Sequence, residues 1–143
     1  MRPKKIILCV DDNEQELSVL KFMLQTNGYR VLTATNGQEA IAVFASVPQV
    51  DLVLTDSQMP QMSGRQLVER LKRMAAHVPM VLFDDAQAAN GDIHAADAML
   101  VRRNCSPHEL LERVKVMSAR KRGPRKGAQR TIQVAEQELA AAS

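Results

Sequence analysis

Three aspartates, Asp11, Asp12 and Asp56, stand where carboxylates could do chemistry together. Asp11 and Asp12 directly follow an apolar run at residues 6–10, and Asp56 directly follows another at residues 50–55, within the stretch VLTDSQMP. Both runs have the length and composition of strands covered on both faces of a parallel sheet. Since the loops after parallel strands open on the same edge of a sheet, the three carboxylates are predicted to converge there.

Converging carboxylates repel one another, and a hard divalent cation with oxygen ligands relieves that repulsion. Mg²⁺ is the natural candidate because it keeps several waters and takes one or two carboxylates plus phosphate oxygens. A carboxylate beside such a metal can act as a nucleophile toward a phosphoryl group and form an aspartyl-phosphate. Alternatively, Asp11 and Asp12 only favour a helix start and Asp56 is a turn residue. Their joint placement at strand ends favours the site.

The elements that must position these residues alternate along the chain. Short apolar runs predict five strands, at residues 6–10, 31–34, 50–55, 80–83 and 98–101. Between them, apolar residues recur at helical spacing and predict helix faces at Leu17, Leu20 and Leu24, at Ala40, Val43 and Phe44, at Leu67, Leu71 and Met74, and at Leu110, Val114 and Met117. The repeated strand–helix order predicts an α/β fold, a doubly wound five-stranded parallel sheet.

Three predicted helices begin with a capping residue three positions before Glu or Gln. The segments are Asn13-Glu-Gln-Glu16, Ser63-Gly-Arg-Gln66 and Ser106-Pro-His-Glu109. Gly28 is placed to end the first helix. The segment between Phe83 and Ala98 breaks this rhythm, because its apolar periodicity is weak and it contains an Asn-Gly turn signal. We therefore expect a shortened fourth helix there.

Charge is distributed unevenly along the 143 residues. The net charge is +3, but residues 118–130 hold six Lys or Arg and no acidic residue, so the basic character lies in the tail. We expect a domain over residues 1–119 and a basic, flexible C-terminal tail over residues 120–143. The apolar run near the N-terminus is too short for a signal peptide, and no stretch of the sequence could span a bilayer. The expectation is a cytoplasmic protein without membrane association.

With Asp11-Asp12 after the first strand, the TDSQMP motif around Asp56 and the glycine at position 64, the chain resembles a response-regulator receiver domain of two-component signalling. The resemblance covers about residues 4–117. It implies a flavodoxin-like receiver fold in which Asp56 accepts a phosphoryl group from a kinase phosphohistidine. It also implies that Asp12 and Asp56 ligate Mg²⁺ directly, that Asp11 acts through water, and that the backbone carbonyl of Gln58 completes the protein ligands.

The second half of the chain departs from that family's pattern. The fourth strand of a receiver ends with Thr or Ser, whose hydroxyl contacts the phosphoryl group, whereas this chain has Asp84. A Lys-Pro pair follows the fifth strand in the family, and here the Lys position is Arg102 or Arg103 and the Pro is lost. Arg keeps the charge but presents a planar fork. The switch aromatic of the fifth strand aligns with Met99.

The favoured function is a stand-alone phosphoacceptor in a phosphorelay that signals by protein–protein contact. Its expected partners are a sensor histidine kinase or phosphotransfer protein and an unknown downstream protein. It would be no ordinary enzyme, although it could phosphorylate and dephosphorylate itself. One alternative is a pseudo-receiver whose interactions do not depend on phosphorylation, and another is nucleic-acid association through the basic tail. A haloacid-dehalogenase-type phosphatase would need a second Asp at position 58, and an NTPase would need a GxxxxGK loop.

Overall fold

The computed structural model describes residues 4–84, 96–102 and 105–119. Within these ranges, strands and helices alternate along most of the chain, as the sequence predicts. The elements are β1 (Ile6–Val10), α1 (Glu14–Thr26), β2 (Arg30–Ala34), α2 (Gly37–Ser46), β3 (Leu52–Asp56), α3 (Gly64–Met74), β4 (Met80–Asp84), β5 (Ala98–Val101) and α4 (Pro107–Ser118).

The five strands form one parallel sheet in the order β2-β1-β3-β4-β5. The order reverses between β1 and β3, and in open α/β sheets the functional crevice lies beyond the carboxyl ends of the strands at such a reversal. Val10 pairs with Thr55 in this register, so the next residues, Asp11 and Asp56, emerge side by side. The predicted doubly wound fold is confirmed, and its topology brings the two aspartate-bearing strand ends together.

Two apolar layers cover the sheet, one on each face. Successive strand residues alternate between them: Ile7 and Cys9 face one layer, and Leu8 and Val10 face the other. The first layer is closed by α1 and α4, through residues such as Leu17, Leu24, Leu110, Val114 and Met117. The second is closed by α2 and α3, through Ala40, Phe44, Leu67, Val68 and Leu71. Both faces of β1 and β3 are buried, so the ends of these strands form a rigid platform.

The helix boundaries follow the capping residues. Ser63 and Ser106 both form complete capping boxes, with Gln66 and Glu109 respectively. Gly28, just after α1, has a φ of 93°, a conformation that suits glycine. The prediction for Met74 is wrong: this residue is 48% exposed. It is the last residue of α3, where the helix ends before the loop to β4.

Some sequence-based expectations fall on residues outside the described ranges. They concern the short helix expected between Phe83 and Ala98, Arg103 and the tail at residues 120–143, and they stay predictions. None of the helices in the described ranges combines the length and the apolar character that crossing a bilayer requires.

Candidate phosphoacceptor and metal site

Carboxylate oxygens of Asp11, Asp12 and Asp56 all lie within 4.8 Å of one another. Asp11 directly follows β1 and is buried, and Asp56 is the last residue of β3 and is partly buried. Asp12 is exposed. The structure thus brings together the three aspartates that the sequence singles out, because the register of β1 and β3 places them at one edge.

The loop after Asp56 is held against its neighbours by backbone hydrogen bonds. The Ser57 amide donates to the Phe83 carbonyl at 2.8 Å, and the Gly64 amide donates to the Ser57 carbonyl at 2.9 Å. This close approach requires glycine at position 64, because a Cβ there would lie 2.1 Å from the Asp56 carbonyl oxygen. The first residue of α3 therefore fixes the backbone that carries the acceptor.

The Arg102 guanidinium lies in the same site. Its Nη2 donates to Asp56 Oδ1 at 2.9 Å and lies 3.7 Å from Asp11 Oδ2. Its Nη1 donates to Glu16 Oε1, on α1, at 2.7 Å. The guanidinium carbon also sits 5.4 Å from the centre of the Phe83 ring, within reach of a cation–π contact. One cation therefore contacts carboxylates from three separate segments.

Burial and neighbouring charges shift the pKa values of Asp11, Asp56 and Arg102. Burial, with a smaller contribution from the Asp56 charge, raises the pKa of Asp11 to about 6, against the opposing effects of the Asn13 amide and Arg102. Burial also raises the pKa of Asp56, although Arg102 and the Gln58 amide act to lower it. For Arg102, burial lowers the pKa, but Glu16, Asp56 and Asp11 together raise it. One arginine thus leaves part of the negative charge uncompensated.

The donor set fits a hard divalent cation. Three carboxylates supply oxygens only, which are the ligands that Mg²⁺ prefers, and the exposed Asp12 leaves a side open to water. Gln58, expected to contribute its carbonyl, is two residues beyond Asp56 and exposed. The chemistry of the residues present therefore fits Mg²⁺.

Only some of the other predicted site residues lie beside the aspartates. Arg102 joins the aspartates, whereas Arg103 lies outside the described ranges. Asp84 is the last residue of β4 and pairs with Val101 on β5. Among the described residues, the cluster of close carboxylates does not include it. Met99 packs against the apolar layer on the side of α2 and α3.

Sequence reasoning missed two residues of the site, Glu16 and Phe83. Glu16 matched a capping pattern, which concealed its contact with Arg102. Phe83 looked like an ordinary core residue, and it is 8% exposed. The available signal for Glu16 was its place on the first turn of α1, directly after the aspartate pair.

A groove of about 460 Å³ runs from the site between α1 and α4. Asp11, Asp56 and Arg102 line one end, and apolar side chains such as Val19, Leu20 and Leu110 line the rest. Val19 and the nearby Phe22 are 69% and 71% exposed. The aspartates therefore adjoin an apolar surface on α1.

Known proteins resemble this chain in sequence and in structure. The response regulator SaeR of Staphylococcus aureus is 29% identical over 112 residues, which are 76% of this chain and 48% of SaeR. The chain thus spans about half the length of the curated relatives it matches. The response regulator protein TrrA of Thermotoga maritima, in complex with Mg²⁺-BeF, is 34% identical with a TM-score of 0.73, over 79% of this chain and 98% of TrrA. A further structure shows TrrA in complex with the histidine kinase ThkA.

The family comparison covers most of the chain. Residues 7–115 match the model of the response regulator receiver domain. That range includes the three clustered aspartates, Arg102 and all of the sheet except Ile6. Receiver domains are phosphoacceptors that bind Mg²⁺ at an acidic pocket. The fold, the order of the strands and the aspartates at the sheet edge agree with this match, and the chain belongs to the response regulator receiver domain family of two-component signalling.

Proposed function

We propose that Asp56 accepts a phosphoryl group in a phosphorelay and that the chain signals through protein–protein contacts. The observation that carries the proposal is the cluster of Asp11, Asp12 and Asp56, with oxygens within 4.8 Å of one another, at the reversal point of the sheet. Three carboxylates so close together are costly without a cation, and such a cost is retained where chemistry uses it.

The transfer is a displacement at phosphorus. One Asp56 oxygen faces Arg102, and the other attacks the phosphorus atom of the donor. A new oxygen–phosphorus bond forms while the bond from phosphorus to the leaving nitrogen or oxygen breaks, and the leaving group takes the electron pair. The Arg102 guanidinium is placed to neutralise charge on the transferred group, which is the main catalytic need of phosphoryl transfer.

Asp12, Asp56 and the Gln58 carbonyl would hold Mg²⁺ directly, and Asp11 would hold it through water. When bound, the ion neutralises charge on phosphate oxygens. Asp11 is kept in place by the Asn13 amide, which donates to its Oδ1 at 3.0 Å. The exposed Asp12 can reorient as the ion enters.

The donor and the output follow from the family. TrrA forms a complex with the histidine kinase ThkA, and we propose that a sensor histidine kinase or a phosphotransfer protein phosphorylates this chain. A downstream protein, as yet unidentified, would read the phosphorylated state. We propose a cytoplasmic location, because kinase domains have their nucleotide there.

Intact mass measurement after incubation with acetyl phosphate and Mg²⁺ tests the proposal. We expect wild type to gain one phosphoryl group, with no gain when Mg²⁺ is removed by a chelator. Asp56→Asn should gain none, while Glu14→Gln, which changes an exposed carboxylate on the first turn of α1, serves as the control for loss of a carboxylate. If wild type stays unmodified while folded and loaded with Mg²⁺, the phosphoacceptor function is wrong.

The alternative is a pseudo-receiver, a receiver fold that works without phosphorylation. Asp84 favours it, because this carboxylate ends β4 where the family has a hydroxyl. A phosphorylated Asp56 that leaves partner binding unchanged would establish this second function.

Nucleic-acid association through residues 118–130 would instead give binding that weakens steeply with salt.

A further inference from the structure

Glu16 and Asp56 share one guanidinium. Arg102 Nη1 lies 2.7 Å from Glu16 Oε1, and Arg102 Nη2 lies 2.9 Å from Asp56 Oδ1. The guanidinium is planar and its donors point in fixed directions, so anchoring one nitrogen orients the other. Glu16 is therefore in contact with the same guanidinium that reaches the acceptor.

The start of α1 explains why Glu16 is available for this contact. In α3 and α4, the third helical residue bonds back to the capping residue: Gln66 accepts from the Ser63 amide and Glu109 accepts from the Ser106 amide, each at 3.0 Å. In α1 the equivalent amide, that of Asn13, donates instead to Asp11 Oδ1.

The capping of α1 is still satisfied without the Glu16 carboxylate. Asn13 Oδ1 accepts from the amides of Gln15 and Glu16 at 3.0 and 3.1 Å. Asp11 thus takes the amide that Glu16 would otherwise occupy, and the Glu16 carboxylate reaches across to Arg102. Both departures from an ordinary capping box therefore occur together: the Asn13 amide bonds to Asp11, and the Glu16 carboxylate bonds to Arg102.

Arg102 needs such an anchor because it is a long side chain at the end of a strand. Its side chain is 30% exposed, and an unrestrained arginine loses considerable rotamer entropy when it is fixed. We propose that Glu16 is a positioning residue of the phosphoacceptor site: it holds Arg102 so that Nη2 faces Asp56. This inference rests on the proposed function of Asp56.

The consequence is a rate effect that acts through Arg102. Nη2 faces the place where charge develops on the transferred phosphoryl group, and stabilisation there depends on the donor being fixed beforehand. Because Glu16 is 47% exposed, its pair with Arg102 is of the moderate, partly solvated kind. We expect Glu16→Ala to slow phosphorylation of Asp56 by about twofold to fivefold.

The measurement is the initial rate of phosphoryl gain from acetyl phosphate at saturating Mg²⁺, followed by intact mass. Glu16→Gln keeps an oxygen that can accept from Nη1, so its rate should lie between those of Glu16→Ala and wild type. Glu14→Gln is the matched control, because it removes an exposed carboxylate from the same first turn of α1. It should react at the wild-type rate.

A double-mutant cycle separates positioning from a general charge effect. In the Arg102→Ala background, which keeps Asp56 and the proposed metal ligands, Glu16→Ala should have no further effect on the rate. The same pair of substitutions should be non-additive in thermal unfolding, which requires no phosphorylation. That readout tests the Glu16–Arg102 contact by itself.

The outcomes are distinct. Wild type that gains a phosphoryl group while Glu16→Ala reacts at the same rate overturns this inference and leaves the proposed function standing. An equal slowing by Glu16→Ala with and without Arg102 also overturns it. Wild type that gains no phosphoryl group removes the proposed function, and this inference falls with it.

Discussion

At the scale of single residues, the site is a balance between three carboxylates and one guanidinium. Asp11 and Asp56 are both held below the protein surface, and Arg102 approaches both of them. The raised pKa values of the two aspartates reflect burial that Arg102 only partly offsets. A second cation at this place would complete the compensation, which is the role proposed for Mg²⁺.

The pH dependence of Asp11 follows from its raised pKa. A carboxyl whose pKa rises from 3.8 to about 6 on folding stabilises the fold at low pH, and that contribution is lost as pH rises through about 6. In metal-free protein at pH 8, Asp11→Asn should therefore be more stable than wild type, by roughly 1–2 kcal/mol. At pH 4 the difference should nearly vanish.

Chemical denaturation at both pH values, with and without Mg²⁺, checks this prediction. Mg²⁺ should stabilise wild type at pH 8 by linkage to the native state and should stabilise Asp11→Asn much less. A variant less stable than wild type at pH 8 without metal would show that the Asp11 charge is already compensated.

Asp84 is predicted to weaken the response of the fourth and fifth strands to phosphorylation. A hydroxyl at this position gains a contact with a phosphoryl group, whereas a carboxylate is repelled by it, and a switch needs a group that favours the phosphorylated state. We predict that a beryllofluoride complex shifts the backbone amides of residues 80–105 more in Asp84→Thr than in wild type. Amide spectra of both proteins, with and without beryllofluoride, give the comparison. Shifts of the same size in wild type would contradict this prediction and would indicate that Arg102 or Arg103 carries the switch.

At the scale of elements, β3 and α3 are built as one unit around Gly64. A Cβ on residue 64 would lie 2.1 Å from the Asp56 carbonyl oxygen and 2.8 Å from the Ser57 Cα, both of them backbone atoms that cannot move cheaply. By contrast, a Cβ on Gly37, the first residue of α2, would meet the flexible Met62 side chain, at 2.5 Å from its sulfur. The two glycines stand at equivalent helix positions but under different constraints.

Gly64→Ala should therefore destabilise the protein by about 1–3 kcal/mol and displace Asp56 from its cluster. Gly37→Ala should change stability by much less, since Met62 can adjust and alanine favours a helix. Thermal unfolding measures the loss of stability in each variant. The Mg²⁺-induced gain in stability reports whether Gly64→Ala has displaced Asp56. Equal losses from the two substitutions would refute the role of close backbone approach.

At the scale of the whole molecule, the described fold ends with α4, whose Met117 is still buried. The tail beyond it has little periodic apolar surface with which to bind the body. A chain ending at Arg120 should therefore unfold cooperatively at nearly the wild-type temperature, and a calorimetric scan decides this. A fall of about 4 °C would correspond to roughly 1 kcal/mol of stabilisation from the tail.

The sequence predicted most of the fold because buried parallel strands and capped helices leave strong local signals. The main difference is the start of the third strand, which the sequence predicts at residue 50 and which lies at Leu52 in the structure. Asp51 explains the shift, because its carboxylate accepts from the Ile6 amide at 2.8 Å and so ends the loop ahead of the strand. Asp56 lies inside the strand because it pairs with Phe83 of β4.

The site was predictable only in part. The three aspartates stand at strand ends, so topology alone brings them together. The contact between Glu16 and Arg102 joins residues 86 positions apart through long side chains, and no sequence period reports the direction of such chains. The sequence also leaves open whether Arg102 or Arg103 takes the position of the family's Lys. The structure places Arg102 in the site.

The central claim is that Asp56 is the residue that accepts a phosphoryl group, with Mg²⁺ bound beside it. The most direct measurement is to phosphorylate the protein with acetyl phosphate and Mg²⁺, reduce the acyl phosphate with borohydride and locate the reduced residue by tandem mass spectrometry. We expect reduction of Asp56 alone, and none without Mg²⁺. Reduction at Asp11, Asp12 or Asp84 instead, or labelling that does not depend on Mg²⁺, would contradict it.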